Sequence, residues 1–306
     1  MTASTGVAAA AGWALDRAVG EPPSPVHPVA WFGRGMRALE RLTYRDSRAA
    51  GVAHVAVVVG AAIGAGRLAE QLLGRRVAAA LTTSMCVAGR MLDHEATAVL
   101  DAVDRGDLDA ARERLPTLVG RDAGDLDADG VVRAVVESVA ENAVDAVVAS
   151  IGWAAAWGAP GVLAHRAVNT LDAMVGHRNE RYRQFGWAAA RLDDALNYLP
   201  ARLAVAEVAV LTPFRRPAIW CAVRQDARSH PSPNGGVIEA AVAAALGVSL
   251  GGRNRYDGVE VDRGTLGDGP APTVAHARCA IRLTNQVGLL TAAVAATVSW
   301  LGRLRR

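Results

Sequence analysis

The chain has 306 residues, 51% of them hydrophobic and 5% aromatic, with a formal net charge of +3 and a mean hydropathy of +0.17. That length allows one large or two ordinary domains. The charge is too small to imply nucleic acid by itself, and the hydropathy is high for a soluble protein yet mild for one wholly in lipid. No lysine occurs anywhere, which excludes the Walker A lysine of P-loop nucleotidases, a Schiff-base lysine and a kinase-type catalytic lysine.

The first segment, MTASTGVAAAAGWALDRAVGEPP, lacks an early basic region and is a poor secretory signal; it reads as a retained apolar helix over 7–15. Asp16, Glu21, His27 and Pro28 then sit on a Pro-rich turn, where such residues more often fix a bend than perform chemistry. The basic stretch 34–48 suits an anionic membrane face. Apolar helices are expected over 52–65 and 77–88. Residues 93–133 alternate in charge at helical spacing and read as a water-exposed helical hairpin with loops at Pro116 and Gly124.

Further apolar helices are expected over 143–164, 201–211 and 287–301. A bilayer takes about 20 mostly apolar residues, which only 143–164 and the C-terminal segment approach. The former carries Asp145 and the breakers Gly158, Pro160 and Gly161, and other candidates are interrupted by His54 and Glu207. Hydropathy alone therefore leaves a polytopic membrane protein and a soluble, Ala-rich helical protein both open. Residues 215–269 are polar and rich in Gly and Pro, without a strong alternating strand pattern, so the class is all-α with a small irregular segment near 251–269. No internal repeat is visible, and the chain reads as a single helical domain over 1–306.

Cys86, Cys221 and Cys279 are odd in number and far apart, so no disulfide framework or zinc knuckle follows. The seven histidines include no HExxH. Any phosphate or carboxylate must be held by arginine, backbone N–H groups or a metal.

Four clusters carry possible chemistry. Glu137, Glu141 and Asp145 are four residues apart and stack on one helix face, with Asn142 beside them. Such oxygen ligands suit Mg²⁺; a stripe paired with Arg133 or other arginines is the plainer alternative. In NTLDAMVGHR, Asn169 and Asp172 share a face, and His177–Arg178 follow a helix stop at Gly176, where they bind an anion or simply favour the helix dipole. In ARLDDALNYLPAR, Asp193, Asp194 and Asn197 suit a divalent ion holding a diphosphate, or an ion-pair network closed by Arg191 and Arg202. In RSHPSPNGGVIE, His230, Asn234 and two glycines precede an apolar helix, leaving N–H groups for an anion with Glu239 as a cap, or making an ordinary turn.

Together, GEPPSPVHPVAWFGR, VVRAVVESVAENAVDAVVA, RAVNTLDAMVGHRNERYRQFG, AARLDDALNYLPARL and DARSHPSPNGG with EAAVAAALGVSLGG resemble the CobD or CbiB family of adenosylcobinamide-phosphate synthases. These blocks occur in the family's order over most of residues 12–258. The chain departs from the pattern at Ser150, where a proline is usual, at His165, where a tyrosine is common, and at Glu21, which replaces an aspartate while keeping the charge.

The resemblance implies a multi-pass inner-membrane protein. It also implies ligation of the propionate carboxylate of (adenosyl)cobyric acid to aminopropanol or its phosphate. Carboxylate activation by ATP would precede amine attack, a matter of positioning and charge neutralisation. The expected roles are then as follows. Mg²⁺ is held by Glu141, Asp145, Asp193 and Asp194; Glu137, Glu141, Asp172, His177 and Asp194 take part in the chemistry. Asn142, Asn169, Arg178, Arg191, Asn197, Arg202, His230 and Asn234 bind ATP or the substrate phosphate. The partners are a corrinoid and the amine, with no nucleic acid and with possible association with other late cobalamin-pathway enzymes; the site faces the cytoplasm. The competing reading is a non-enzymatic, AmpE-like membrane sensor, which would lack the acidic clusters.

Overall fold

A computed structural model describes residues 5–21, 28–177, 179–256 and 258–304. In chain order the elements are α1 (Thr5–Val19), α2 (Pro28–Thr43), α3 (Arg48–Leu73), α4 (Arg75–Cys86), α5 (Gly89–Asp104), α6 (Leu108–Arg114) and α7 (Ala128–Asn142). A π-helical segment, Ala143–Val148, leads into α8 (Ala149–Trp157), α9 (Ala159–Val175), α10 (Trp187–Leu211), α11 (Arg216–Gln225) and α12 (Gly235–Leu246). The strands β1 (Leu250–Tyr256) and β2 (Val259–Leu266) precede α13 (Val274–Leu304). The helical class expected from the sequence is what the chain adopts, with one antiparallel hairpin added among the described residues.

The chain divides into two compact units, each assembled from separate stretches: Met1–Ala88, Asp145–Asn197 and Thr291–Arg306 in the first, Gly89–Val144 and Tyr198–Leu290 in the second. In the first unit, α3 packs on α9. A Cβ at Gly66 would collide with Pro160 at the start of α9, and one at Gly51 with the Phe185 carbonyl just before α10, so a bare backbone admits α3 to both neighbours. Val55, Val58 and Ala62 on α3 join Ala167, Leu171, Val175 and Phe185 in one core cluster. A second cluster gathers Ala9, Cys86, Ile151, Ala154 and Val162. His54, on the apolar face of α3, is 1% exposed and its Nδ1 lies 2.9 Å from Thr43 Oγ1, so the imidazole is carried inward and hydrogen-bonded.

In the second unit the Asp127 carboxylate caps α7 by accepting from Gly130 N–H at 2.8 Å, and Asp107 caps α6 by accepting from Ala110 N–H at 3.0 Å. Helix α12, GGVIEAAVAAAL, is apolar on nearly every face and is buried almost throughout, as a helix of that composition must be. Its one charged residue, Glu239, is therefore forced into the interior.

The structure departs from the sequence reading in three places. The stretch 143–164 is not one span. It runs from the π-helical segment through α8 to a reversal at Gly158 (φ +72°), then starts α9. Gly161 lies so near the Trp153 carbonyl that a Cβ there would stand 2.5 Å away, as expected when the chain folds back. Among the described residues, the helices long and apolar enough to cross a membrane are Val274–Gly302, of 29 residues, which contains the C-terminal segment expected to do so, and Arg48–Leu73, of 26, which the sequence reading set aside as interrupted by His54. A third stretch qualifies only as a pair, Trp187–Leu211 with Pro213–Ser229, bent by 108°. Finally, the hairpin replaces the irregular segment near 251–269. It escaped notice because Asn254 and Arg263 point inward, 3% and 8% exposed, which inverts the usual apolar-in alternation.

Candidate functional site

The polar interior of the second unit is built on α7. Glu137 is fully buried; its carboxylate accepts from the Arg121 guanidinium and, at 2.7 Å, from Gly251 N–H on β1, with Arg133 Nε at 3.9 Å. Arg121 also donates to Asn254 Oδ1 at 2.7 Å. Both Glu137 oxygens are thus engaged in tying α7 to the hairpin and to the segment that carries Arg121.

One turn along α7, Glu141 is partly open, its side chain 34% exposed. Its Oε1 accepts from Arg263 Nη2 at 2.8 Å, and the same nitrogen lies 3.4 Å from Glu239 Oε1. His230 Nε2 is 3.4 Å from that Glu239 oxygen, and Glu141, His230 and Glu239 each bring one ligand atom within 4.8 Å of the others. Burial pushes the Glu141 carboxyl up, but Arg263, Glu239 and His230 outweigh it and hold it below the usual range. Glu239 goes the other way: burial, then the charges of Glu141 and Glu137, hold its carboxyl well above the usual range. Burial and then Arg263 depress the His230 imidazole, and despite its own burial Arg263 is held more tightly protonated by Glu141 and Glu239. Two carboxylates whose environments drive their titration apart, beside a neutral imidazole, form the usual furniture of a proton-transfer or ion-binding site.

The turn before α12 explains how His230 reaches this place. The Ser232 side chain accepts from Asn234 N–H at 3.3 Å and Gly235 N–H at 3.0 Å, and its carbonyl accepts from Gly236 N–H at 3.1 Å. The N–H groups expected to cradle an anion at these three residues are therefore taken within the turn. Glu239 is not a cap; it faces inward to His230 and Arg263. A Cβ at Gly235 would stand 2.7 Å from Glu141 Oε1 and 3.1 Å from His230 Cε1, and one at Gly236 would stand 2.7 Å from His230 Cβ. These glycines admit the histidine and Glu141 to the same space. Asn234 accepts from Arg202 Nη1 at 2.6 Å; Arg202 also donates to the Pro233 carbonyl at 3.1 Å and stacks 3.7 Å over the Tyr198 ring. Asn142 donates to the Ser138 carbonyl at 2.9 Å.

The first unit holds a separate carboxylate network. Asn169 donates to Asp145 Oδ2 at 3.1 Å and to Asp193 Oδ1 at 3.4 Å; Asn197 donates to Asp193 Oδ2 at 3.1 Å. The Asn197 Oδ1 lies 2.8 Å from His165 Nε2, a buried imidazole whose pKa is lowered to about 4 chiefly by burial. Asp172, raised to about 6 by burial and then by the charge of Asp194, borders the same network, and Arg191 Nη1 stands 3.8 Å from Asp194 Oδ2. The asparagine N–H groups thus hold Asp145 and Asp193 in place, and the charges of Asp172 and Asp194 act on one another and on Asp193.

The structure thus joins Asp145, Asn169, Asp172, Asp193, Asp194 and Asn197 in one unit, and Glu141, His230, Asn234 and Arg202 in the other. The expected Glu137–Glu141–Asp145 stripe does not persist. Asp145 falls in the π-helical segment, where i→i+5 bonding breaks the four-residue repeat. His177 is exposed. Arg178 and His27 lie outside the described residues. Sequence reasoning gave Glu239 only a capping role and passed over Arg121, Arg263 and His165 as site residues. Glu239 carried a usable signal, a lone acid inside an apolar helix; Arg263 carried none, because a strand in a polar segment gives no hint of what it faces.

A family model described as CobD/Cbib protein matches residues 9–284. The chain is 46% identical over 282 residues to the cobalamin biosynthesis protein CobD of Mycobacterium tuberculosis (strain ATCC 25618 / H37Rv), covering 90% of each. It is 43% identical over 290 residues to the protein of that name from Chromobacterium violaceum, covering 92% of each. It is 36% identical over 271 residues to that of Clostridium perfringens, covering 84% of this chain and 86% of the relative. No solved structure matches the chain. A match across nearly the whole length, with the order of its motifs intact, means that the chain belongs to the CobD/CbiB family.

Proposed function

We propose that this chain is a membrane enzyme of cobalamin biosynthesis that joins aminopropanol, or its phosphate, to the propionate carboxylate of (adenosyl)cobyric acid. The observation that carries the reading is the family match over residues 9–284 with relatives named for cobalamin biosynthesis. A carboxylate does not acylate an amine at neutral pH without activation, and ATP is the available activator. With no lysine in the chain, arginines and a divalent ion must neutralise phosphate. In this reading Mg²⁺ is held by Asp194 and by Asp145 and Asp193, the latter two oriented by Asn169 and Asn197, and Arg191 and Arg178 stabilise phosphate. Asp172 or His177 takes the proton of the attacking amine. Arg202, fixed on Asn234 and stacked on Tyr198, supplies positive charge for an anionic substrate group. Glu141, first grouped with that Mg²⁺ set, is better placed in the His230–Glu239 cluster.

The apolar helices Arg48–Leu73 and Val274–Gly302 support membrane insertion. Multi-pass topology with the site open to the cytoplasm, where ATP is, completes the proposal. The test is to incubate the detergent-solubilised protein with ATP, Mg²⁺, adenosylcobyric acid and aminopropanol phosphate, with free aminopropanol in parallel, and to detect the amide by mass. Product dependent on ATP and Mg²⁺ supports the reading. Folded protein that yields no amide with either amine overturns it and favours a non-enzymatic role.

A further inference from the structure

We propose that Glu141, His230 and Glu239 form a binding site for one divalent first-row transition-metal ion, distinct from the Mg²⁺–phosphate chemistry assigned to the aspartates. The three ligand atoms lie within 4.8 Å of one another, which leaves room for an ion among them. Metal–ligand bonds of about 2.0–2.2 Å would bring such a trio into a three-ligand set with an open position. His230 and Glu239 side chains are 0% exposed. His230 Nε2 and Glu239 Oε2 have no hydrogen-bond partner among the described residues, although both are buried. A buried imidazole nitrogen and a buried carboxylate oxygen left in this way are destabilising unless something else takes their lone pairs.

The orientation of the ring fits ligation. His230 Nδ1 lies 3.1 Å from the Ser232 carbonyl and 3.1 Å from Ser232 N–H, so either tautomer is accommodated at that edge. With the proton on Nδ1 donated to the carbonyl, the Nε2 lone pair points toward Glu239. This is the arrangement by which metal-bound histidines are commonly fixed from behind. Gly235 and Gly236 clear the space in front of the ring. Glu137 is matched by Arg121, whereas Glu141 and Glu239 share the single guanidinium of Arg263. Arg263 reaches Glu141 Oε1 and Glu239 Oε1, so Glu239 Oε2 and His230 Nε2 stay open to a ligand-accepting ion. An imidazole beside two carboxylates suits Zn²⁺ or Mn²⁺ better than Mg²⁺, which prefers an all-oxygen shell.

The test reads metal and is independent of synthase activity, so its failure and that of the proposed reaction are separable. Full-length protein in detergent is stripped with chelator, incubated with Zn²⁺ or Mn²⁺ alone, dialysed against excess Mg²⁺ and analysed for metal. One ion per chain is expected to survive. Glu239→Gln and His230→Gln, checked for folding by gel filtration and circular dichroism, are expected to weaken retention by roughly ten- to hundred-fold, while Asp193→Asn retains the wild-type amount. X-ray absorption of the wild-type protein loaded with Zn²⁺ gives a second reading that does not depend on any variant. One nitrogen among oxygen ligands is expected. No retained ion in the wild type, retention lost in Asp193→Asn but kept in His230→Gln, or an all-oxygen shell overturns the proposal.

Discussion

Replacing Glu137 with alanine strands the Arg121 guanidinium, 3% exposed, in the interior of the second unit and leaves Gly251 N–H without its acceptor. Breaking a buried ion pair from one side costs about 3–5 kcal/mol, and an unsatisfied buried N–H about 1–3 kcal/mol. The two losses overlap, so a total of about 4–6 kcal/mol is expected, a large part of the 5–15 kcal/mol that typically separates a folded domain from its unfolded state. The double variant Arg121→Leu/Glu137→Gln removes both charges while keeping an acceptor for Gly251. It is expected within about 2 kcal/mol of wild type and above Glu137→Ala, since apolar replacement of a buried pair is often close to neutral. Thermal unfolding in detergent, followed by tryptophan fluorescence, checks both, with amide formation measured on the same samples. Glu137→Ala melting at the wild-type temperature would refute the reasoning, as would a double variant no better than the single. A stable double variant that makes no amide would return Glu137 to the chemistry.

Gly51→Ala drives a methyl group into the Phe185 carbonyl and is expected to cost several kcal/mol. Gly60→Ala on the same helix meets nothing within 4 Å and should change stability by less than about 1 kcal/mol; comparable melting of the two would contradict the packing described. Asp172 is raised from 3.8 to about 6 by burial and then by Asp194, so its contribution to stability is full below pH 3.8 and is lost as pH rises through about 6. Asp172→Asn should therefore melt above wild type at pH 7.5, by up to about 3 kcal/mol, and no higher at pH 3.5; an equal gap at both values would exclude this origin. Gly235→Ala would put a methyl group 2.7 Å from Glu141 Oε1 and 3.1 Å from His230 Cε1, so melting should fall by about 1–3 kcal/mol while retention of the transition-metal ion falls at least tenfold; retention equal to wild type would show that Glu141 and His230 do not need this spacing. Asp194→Asn is expected to abolish Mg²⁺-dependent product at unchanged melting temperature, and full activity would remove Asp194 from the proposed Mg²⁺ set.

The sequence by itself determined the helical class, the chemistry open to a lysine-free chain and, through ordered motifs, the family. These are properties of composition and local pattern, and they survive without knowledge of what touches what. It also marked most of the acidic and amide groups that cluster, because an acid within an apolar run must find a partner wherever it lands. Only the tertiary structure decided which partner. Asp145 left the Glu137–Glu141 stripe through one π-helical segment, 143–164 turned back at Gly158, and Arg263 reached Glu141 across 122 positions of sequence. Helical periodicity predicts neighbours three or four residues away. It carries no information about a strand residue brought in from a distant segment, so the His230–Glu239–Arg263 cluster existed only once α7, α12 and the hairpin had packed together.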